Sequence, residues 1–187
     1  GIVGTIKKVY DEGALIFWWN NAKRFDGVSR FRIAPKYDGV SSAITISGDG
    51  ELLLAVTRND GYKGQDITKV VSRIPSIQSI IQTYKKKIKP GQILRIKTEI
   101  VMTTKGFEDC IEEKNYANRR SATIGIVNSP KNLHLAKYLD IIPLAVLNPN
   151  EHTLEYRPMH SYMVDTDSPH ALLKEIYQFL SLIRDAS

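Results

Sequence analysis

The sequence predicts an α+β fold in which mostly antiparallel sheet is flanked by helices. Two observations carry this prediction. Apolar residues at helical spacing bracket the chain at residues 11–24 and 168–184, and strand-like runs joined by a hairpin signal fill much of the part between. With 187 residues the chain fits one domain, large enough for a core that needs neither disulfides nor metal.

Residues 1–9 read as a short loop or strand. Leu15, Ile16, Trp18, Trp19, Ala22 and Phe25 then recur at roughly helical spacing and form one broad apolar face. The two tryptophans read as core or inter-lobe packing in preference to a base-stacking platform. Strand grammar begins at residue 29. A first strand is expected up to Pro35; a second carries Val40, Ala43, Ile44 and Ile46 into the turn signal Ser47-Gly48-Asp49-Gly50, which sends residues 51–57 back as its partner. Ile67, Val70 and Val71 predict a helix over 66–72 that Pro75 ends, with a second helical piece over 76–84. Lys85-Lys86-Lys87 and Lys89-Pro90-Gly91 read as a charged loop, either a solvated face or a contact to a phosphate backbone. Residues 93–102 alternate as a strand, 104–113 read as a short helix and 139–147 as a buried strand. Ser168-Pro169 caps a last helix, whose buried side runs through Leu172, Ile176, Phe179 and Ile183.

Composition excludes several classes. Apolar residues make up 42% and charged residues 25%, as in a soluble globular protein. No apolar run approaches a membrane span and the opening residues do not read as a signal peptide, so a cytoplasmic protein without a membrane partner is expected. Cys110 is the only cysteine, which fits a reducing compartment. The four histidines show no zinc-site spacing, and no metal ligand is assigned. A net charge of +6 fits either a polyanionic partner or a merely basic surface.

Four segments carry candidate chemistry. Lys36-Tyr37-Asp38-Gly39 sits between two expected strands, and a lysine at a strand end can act as a nucleophile when it attacks as the free amine. The run from Thr57 through Arg58, Asn59, Asp60, Gly61, Tyr62, Lys63, Gly64, Gln65, Asp66 and Ile67 to Thr68 suits a loop that approaches a ligand or backbone closely. Glu99 is an acid within an otherwise strand-like stretch, hence either a salt-bridge partner or a site residue. Tyr116-Ala117-Asn118-Arg119-Arg120-Ser121-Ala122 offers paired arginine forks for phosphate, of which one is expected at a ligand and one on the surface.

Taken in this order, the segments resemble the adenylation (nucleotidyltransferase) domain of NAD-dependent DNA ligases. The lysine motif matches. Residues 57–68 are similar to that family's Thr-Arg-Gly-Asp-Gly-x-x-Gly-Glu-Asp-x-Thr block, with Asn59 and Gln65 as mild departures, and ATP-dependent ligases and capping enzymes lack this block. Glu99 fits the family's acidic strand residue, residues 116–122 resemble its Phe-Ala-Asn-Pro-Arg-Asn-Ala stretch, and Thr5-Ile6 resembles a Ser-Leu pair lying against adenine.

The resemblance implies an ATP-grasp-like nucleotidyltransferase fold, incomplete at its C-terminal side. Residues 1–187 would be the N-terminal two-thirds of the adenylation domain. It implies NAD and Mg²⁺ as cofactors, nicked double-stranded DNA as partner, and a role in DNA repair and replication. Lys36 would attack the α-phosphate of NAD, expel nicotinamide mononucleotide and become lysyl-AMP. The AMP would pass to the 5′-phosphate of a nick, and the 3′-hydroxyl would displace it. Glu99 would hold the ribose, Arg120 a phosphate, and Arg58 nucleotide or DNA, unless Arg58 is only a loop anchor. Tyr37, Asp38 and Gly39 would shape the cofactor turn, with Leu144 in the place of an aromatic that packs on adenine.

The chain also departs from the family pattern. Ala34 stands where a glutamate usually precedes the lysine, Asn128 where an arginine is expected, and two later lysine-bearing strands have no counterpart. A fragment, or one subunit whose second polypeptide supplies the remaining strands, is therefore expected. Two alternatives stay open: an ATP- or GTP-using RNA ligase or capping-type nucleotidyltransferase, and a non-catalytic relative that binds DNA or protein.

Overall fold

The computed structural model describes residues 11–26, 30–57, 64–148, 153–156 and 161–185. Its secondary structure is mixed α/β with antiparallel sheets, as the sequence predicts, and it divides into two compact units: residues 1–35 with 160–187, and residues 36–159.

In the first unit, α1 (Glu12–Asp26) and α6 (Pro169–Asp185) accompany a two-stranded antiparallel sheet of β1 (Arg30–Ile33) and β7 (Tyr162–Asp165). Trp19, Ile33, Val164, Leu172 and Phe179 form its core. Trp19 stacks on Phe31 with ring centroids 4.8 Å apart, whereas Trp18 is exposed and meets the same ring edge-on. One tryptophan is thus core and the other lies at its rim. Arg30 Nε donates to Asp165 Oδ1 at 2.7 Å across the strand pair, an exposed bond that adds little beyond fixing register.

The second unit is built on a five-stranded antiparallel sheet. Its strands are β2 (Val40–Ser47), β3 (Leu52–Thr57), β4 (Ile93–Met102), β5 (Leu139–Asn148) and β6 (Thr153–Tyr156), in the order β3-β2-β4-β5-β6. The hairpin from β2 to β3 turns where Gly48 and Gly50 predict it, with Gly50 at φ +93°. Alternation decides the faces. Along β4, Leu94, Ile96, Ile100 and Met102 are buried and pack with Ile44, Ile46 and Ile141 beneath α2 (Thr68–Val71), α3 (Ile77–Tyr84) and α5 (Arg119–Val127). Each such isoleucine or leucine contributes roughly 1.5–3 kcal/mol of burial. Thr98, fully buried on the same side, shares a 2.7 Å hydrogen bond with Ser42 on β2, so this polar pair leaves nothing unsatisfied. The intervening residues Arg95, Lys97, Glu99 and Val101 project from the opposite face of the sheet.

Several elements depart from expectation. The helix expected over 66–72 is four residues long, because Asp66 and Ile67 are occupied in bonding to β3. Lys85–Lys87 is a single 3₁₀ turn where a loop was expected. The paired-arginine segment opens α5, and Pro130–Tyr138 follows as a kinked 3₁₀ segment. The α4 helix (Thr104–Glu113) is as predicted, started by the Thr103 side chain accepting the Gly106 amide at 3.0 Å. No helix among the described residues is long and apolar enough to cross a membrane.

Candidate functional site

The site grows from a turn that has no room for a side chain at one position. A Cβ on Gly39 would lie 2.0 Å from the Ile100 carbonyl oxygen of β4 and 2.9 Å from the Val101 side chain. Only glycine lets the chain enter β2 this close to β4, and the preceding Lys36, Tyr37 and Asp38 are thereby held against the end of the sheet. Lys36 and Asp38 are exposed, and Tyr37 is half-buried. Burial and the nearby Asp140 carboxylate push the Tyr37 hydroxyl up from its ordinary value. Asp140 pairs with Val101 in the register of β4 and β5, so the tyrosine lies over that end of the sheet.

Glu99 is the acid beside this turn. It pairs with Ser41 of β2 on one side and Ile142 of β5 on the other, in the middle of the sheet. Burial raises its carboxyl above the ordinary range; the Gly39 amide, which donates to it, and the cations Lys36, Lys97 and Arg120 pull it back in part. This half-buried carboxylate thus has one backbone donor and three cations around it.

The fourth segment separates its two arginines. Asn118 caps α5, accepting the Ser121 amide at 2.8 Å while the Ser121 hydroxyl accepts the Asn118 amide at 3.0 Å. Helix geometry then sends the two arginines apart. Arg120 Nη1 donates to Asp38 Oδ1 at 2.5 Å, whereas Arg119 Nη1 donates to Thr104 Oγ1 at 2.9 Å on α4. Arg120 joins the lysine turn; Arg119 ties two helices. Asn128 caps the opposite end of α5, more than two turns from Arg120.

Leu144 occupies a β-bulge. Thr98 pairs with Pro143 and Lys97 with Ala145, which leaves Leu144 as the extra residue of β5. It is half-buried and adjoins the rung of Lys97. Thr5, Ile6 and Arg58 lie outside the described residues.

The end of the 57–68 block, within the described residues from Gly64 onward, is a clasp. A Cβ on Gly64 would meet the Thr57 carbonyl oxygen at 2.2 Å. Thr57 and Gln65 exchange backbone and hydroxyl bonds at 3.0 and 3.1 Å, and the Ile67 amide donates to Ala55 at 2.9 Å. The Thr68 hydroxyl donates to Asp66 Oδ1 at 2.7 Å and accepts the Ala55 amide at 2.9 Å. These bonds pull the Asp66 carboxyl below its ordinary range, the Thr68 hydroxyl most of all.

Lys36, Asp38, Gly39, Glu99 and Arg120 thus converge, with Tyr37 beside them. Sequence reasoning missed Lys97 and Asp140. The period-2 pattern around Glu99 was the signal for Lys97; Asp140 carried no local signal. Comparison with known proteins agrees with the motifs. Residues 3–169 match the model of the NAD-dependent DNA ligase adenylation domain. The DNA ligase of Mycoplasmopsis agalactiae is 30% identical over 156 residues, covering 82% of this chain and 23% of that protein. The DNA ligase of Campylobacter lari is 36% identical over 128 residues, or 65% and 18%, and that of Mycoplasma pneumoniae 27% over 192 residues, or 94% and 28%. The chain therefore spans about a quarter of the length of such relatives. A match over most of its length means that the chain belongs to the NAD-dependent DNA ligase adenylation domain family.

Proposed function

We propose that this chain, on an ATP-grasp-like nucleotidyltransferase fold, performs the first step of NAD-dependent DNA ligation: transfer of AMP from NAD to Lys36. The observation that supports this most is the convergence of Lys36, Arg120 and Glu99 around the Gly39 turn. It combines a nucleophile, an anion-binding fork and an acceptor for ribose hydroxyls within one cluster.

In the step itself the Lys36 Nζ lone pair attacks the α-phosphorus. A nitrogen–phosphorus bond forms, the bond to the bridging oxygen breaks, and its electron pair leaves with nicotinamide mononucleotide while the amine gives its proton to solvent. Positioning and charge compensation dominate such a transfer. Glu99 accepts from the ribose, Arg120 exchanges Asp38 for a phosphate oxygen, and Tyr37, Asp38 and Gly39 set the angle of attack. Leu144 covers the base, and Thr5, Ile6 and Arg58, outside the described residues, keep the cofactor roles that the resemblance implies. Mg²⁺ would arrive on the substrate's phosphates and neutralise charge there, since among the described residues no three His, Cys, Asp or Glu side chains converge.

The later steps, passage of AMP to the 5′-phosphate of nicked duplex DNA and sealing, belong to chains about four times longer among the relatives named DNA ligase. Here they would be completed by further parts of the polypeptide or by a second one, in the cytoplasm, in the service of DNA repair and replication.

Intact mass after incubation with Mg²⁺ and either NAD or ATP tests the first step, with Lys36→Ala as control. The expected outcome is an AMP-sized gain from NAD alone that Lys36→Ala lacks. A gain from ATP instead would move the chain to the ATP-using ligases, and no gain from either would leave a non-catalytic binding module.

A further inference from the structure

Lys97 is a basic residue whose place on the sheet the proposed chemistry does not yet use. It stands on the same face as Glu99 and two residues from it, hence about 6.6 Å along β4. Its neighbours in register are Ala43 on β2 and Ala145 on β5, with Val56 beyond Ala43. The lysine therefore stands between two alanines and is half-buried, and beyond Ala145 the rung ends in Tyr156 on β6. Among the described residues it makes neither a hydrogen bond nor an ion pair, although it lies close enough to Glu99 to act on that carboxylate.

Register also orders the face. The lysine turn enters β2 beside Ile100 and Val101, so Lys36 to Gly39 lie on one side of Glu99 and Lys97 on the other. The bulged Leu144 adjoins the Lys97 rung. If the ribose sits at Glu99 and the α-phosphate at Lys36, the base must run the opposite way along β4. It then passes over Ala43, beside Leu144, and within reach of one ammonium group.

We propose that Lys97 is a base-recognition residue, its ammonium donating a hydrogen bond to a ring nitrogen of adenine beside Ala43 and Leu144. This inference rests on the reading of Lys36 and Glu99 given above. An ammonium carries donors only, so it selects for a ring acceptor on that edge.

Binding of AMP to the full chain, measured by calorimetry without NAD, separates this inference from the proposed reaction. Lys97→Met should weaken AMP about 10- to 100-fold, the range of one charge-assisted hydrogen bond, and Lys97→Arg should restore part of it. Among 1-, 3- and 7-deaza-AMP, one should bind wild type and Lys97→Met equally, because it lacks the acceptor. Equal AMP binding by wild type and Lys97→Met overturns the inference. So does a loss that disappears as pH rises from 7 to 9, for then Lys97 would act only through the charge of Glu99, in company with Lys36 and Arg120. A wild type that binds AMP through Lys97 yet takes no adenylate onto Lys36 would overturn the proposed reaction and leave the base contact standing. A wild type that binds no AMP overturns both.

Discussion

The turn at Lys36–Gly39 and the clasp at Gly64–Thr68 invite comparison, because both match motifs of one family and both hinge on a glycine pressed against a carbonyl oxygen. They differ in where their polar groups point. In the clasp, Asp66 and Thr68 bond to each other and to the backbone of β3, and the Thr68 hydroxyl serves as both donor and acceptor. In the turn, Lys36 is exposed, and among the described residues Asp38 is held only by an exposed arginine. A motif thus mixes residues that build the scaffold with residues left available for substrate, and closure of the hydrogen bonds tells them apart.

The sharpest way to break this distinction is to give each glycine a methyl group. Gly39→Ala drives a Cβ into β4 and should cost about 1–3 kcal/mol or more while abolishing adenylylation even in the folded fraction. Gly64→Ala should cost stability of the same order, yet leave the folded fraction active. Thermal melts paired with the mass assay read both; a Gly64→Ala protein that folds well but takes no AMP would place the clasp in the chemistry. Thr68→Val should follow Gly64→Ala, losing about 1–3 kcal/mol, since it strips the partner from the Ala55 amide.

Glu99→Gln sharpens the comparison from the other side. Burial raises the Glu99 carboxyl, so folding favours its neutral form and ionising it costs stability. The glutamine variant should melt higher than wild type at pH 8, with the gap closing as pH falls through the raised carboxyl range, and it should lose roughly tenfold or more in AMP transfer. A variant both less stable and less active would make Glu99 a scaffold residue. Asp66→Asn gives the smallest effect and the opposite sign. The Asp66 carboxyl is held low, so its contribution exists at neutral pH and is lost in acid as pH falls through the lowered range. The variant should therefore melt below wild type at pH 7 and converge with it in strong acid.

Much of this architecture was legible because local signals agreed with burial. Ile93–Met102 alternates without interruption, and Thr103 announces α4 by its cap. The α5 helix was not legible as a helix: its inward residues include the small Ala122 and Thr123, so the apolar stripe is thin, although Asn118 and Ser121 carried a capping signature. Residues Pro130–Tyr138 follow a threefold repeat that a search for 3.6 periodicity passes over, and β6 and β7 span only four residues each. In the site, Lys36, Glu99 and Arg120 were read from motifs. The divergence of Arg119 from Arg120 depends on where α5 begins, and that is fixed by the Asn118 cap in three dimensions.

The bulge in β5 has a consequence for variation. Because Leu144 has no partner opposite it, replacing its side chain leaves every neighbouring strand pair in step. The sheet thereby holds one position whose side chain can vary without rewriting the pairing code around it, and on the proposed reading that position is the one over the base.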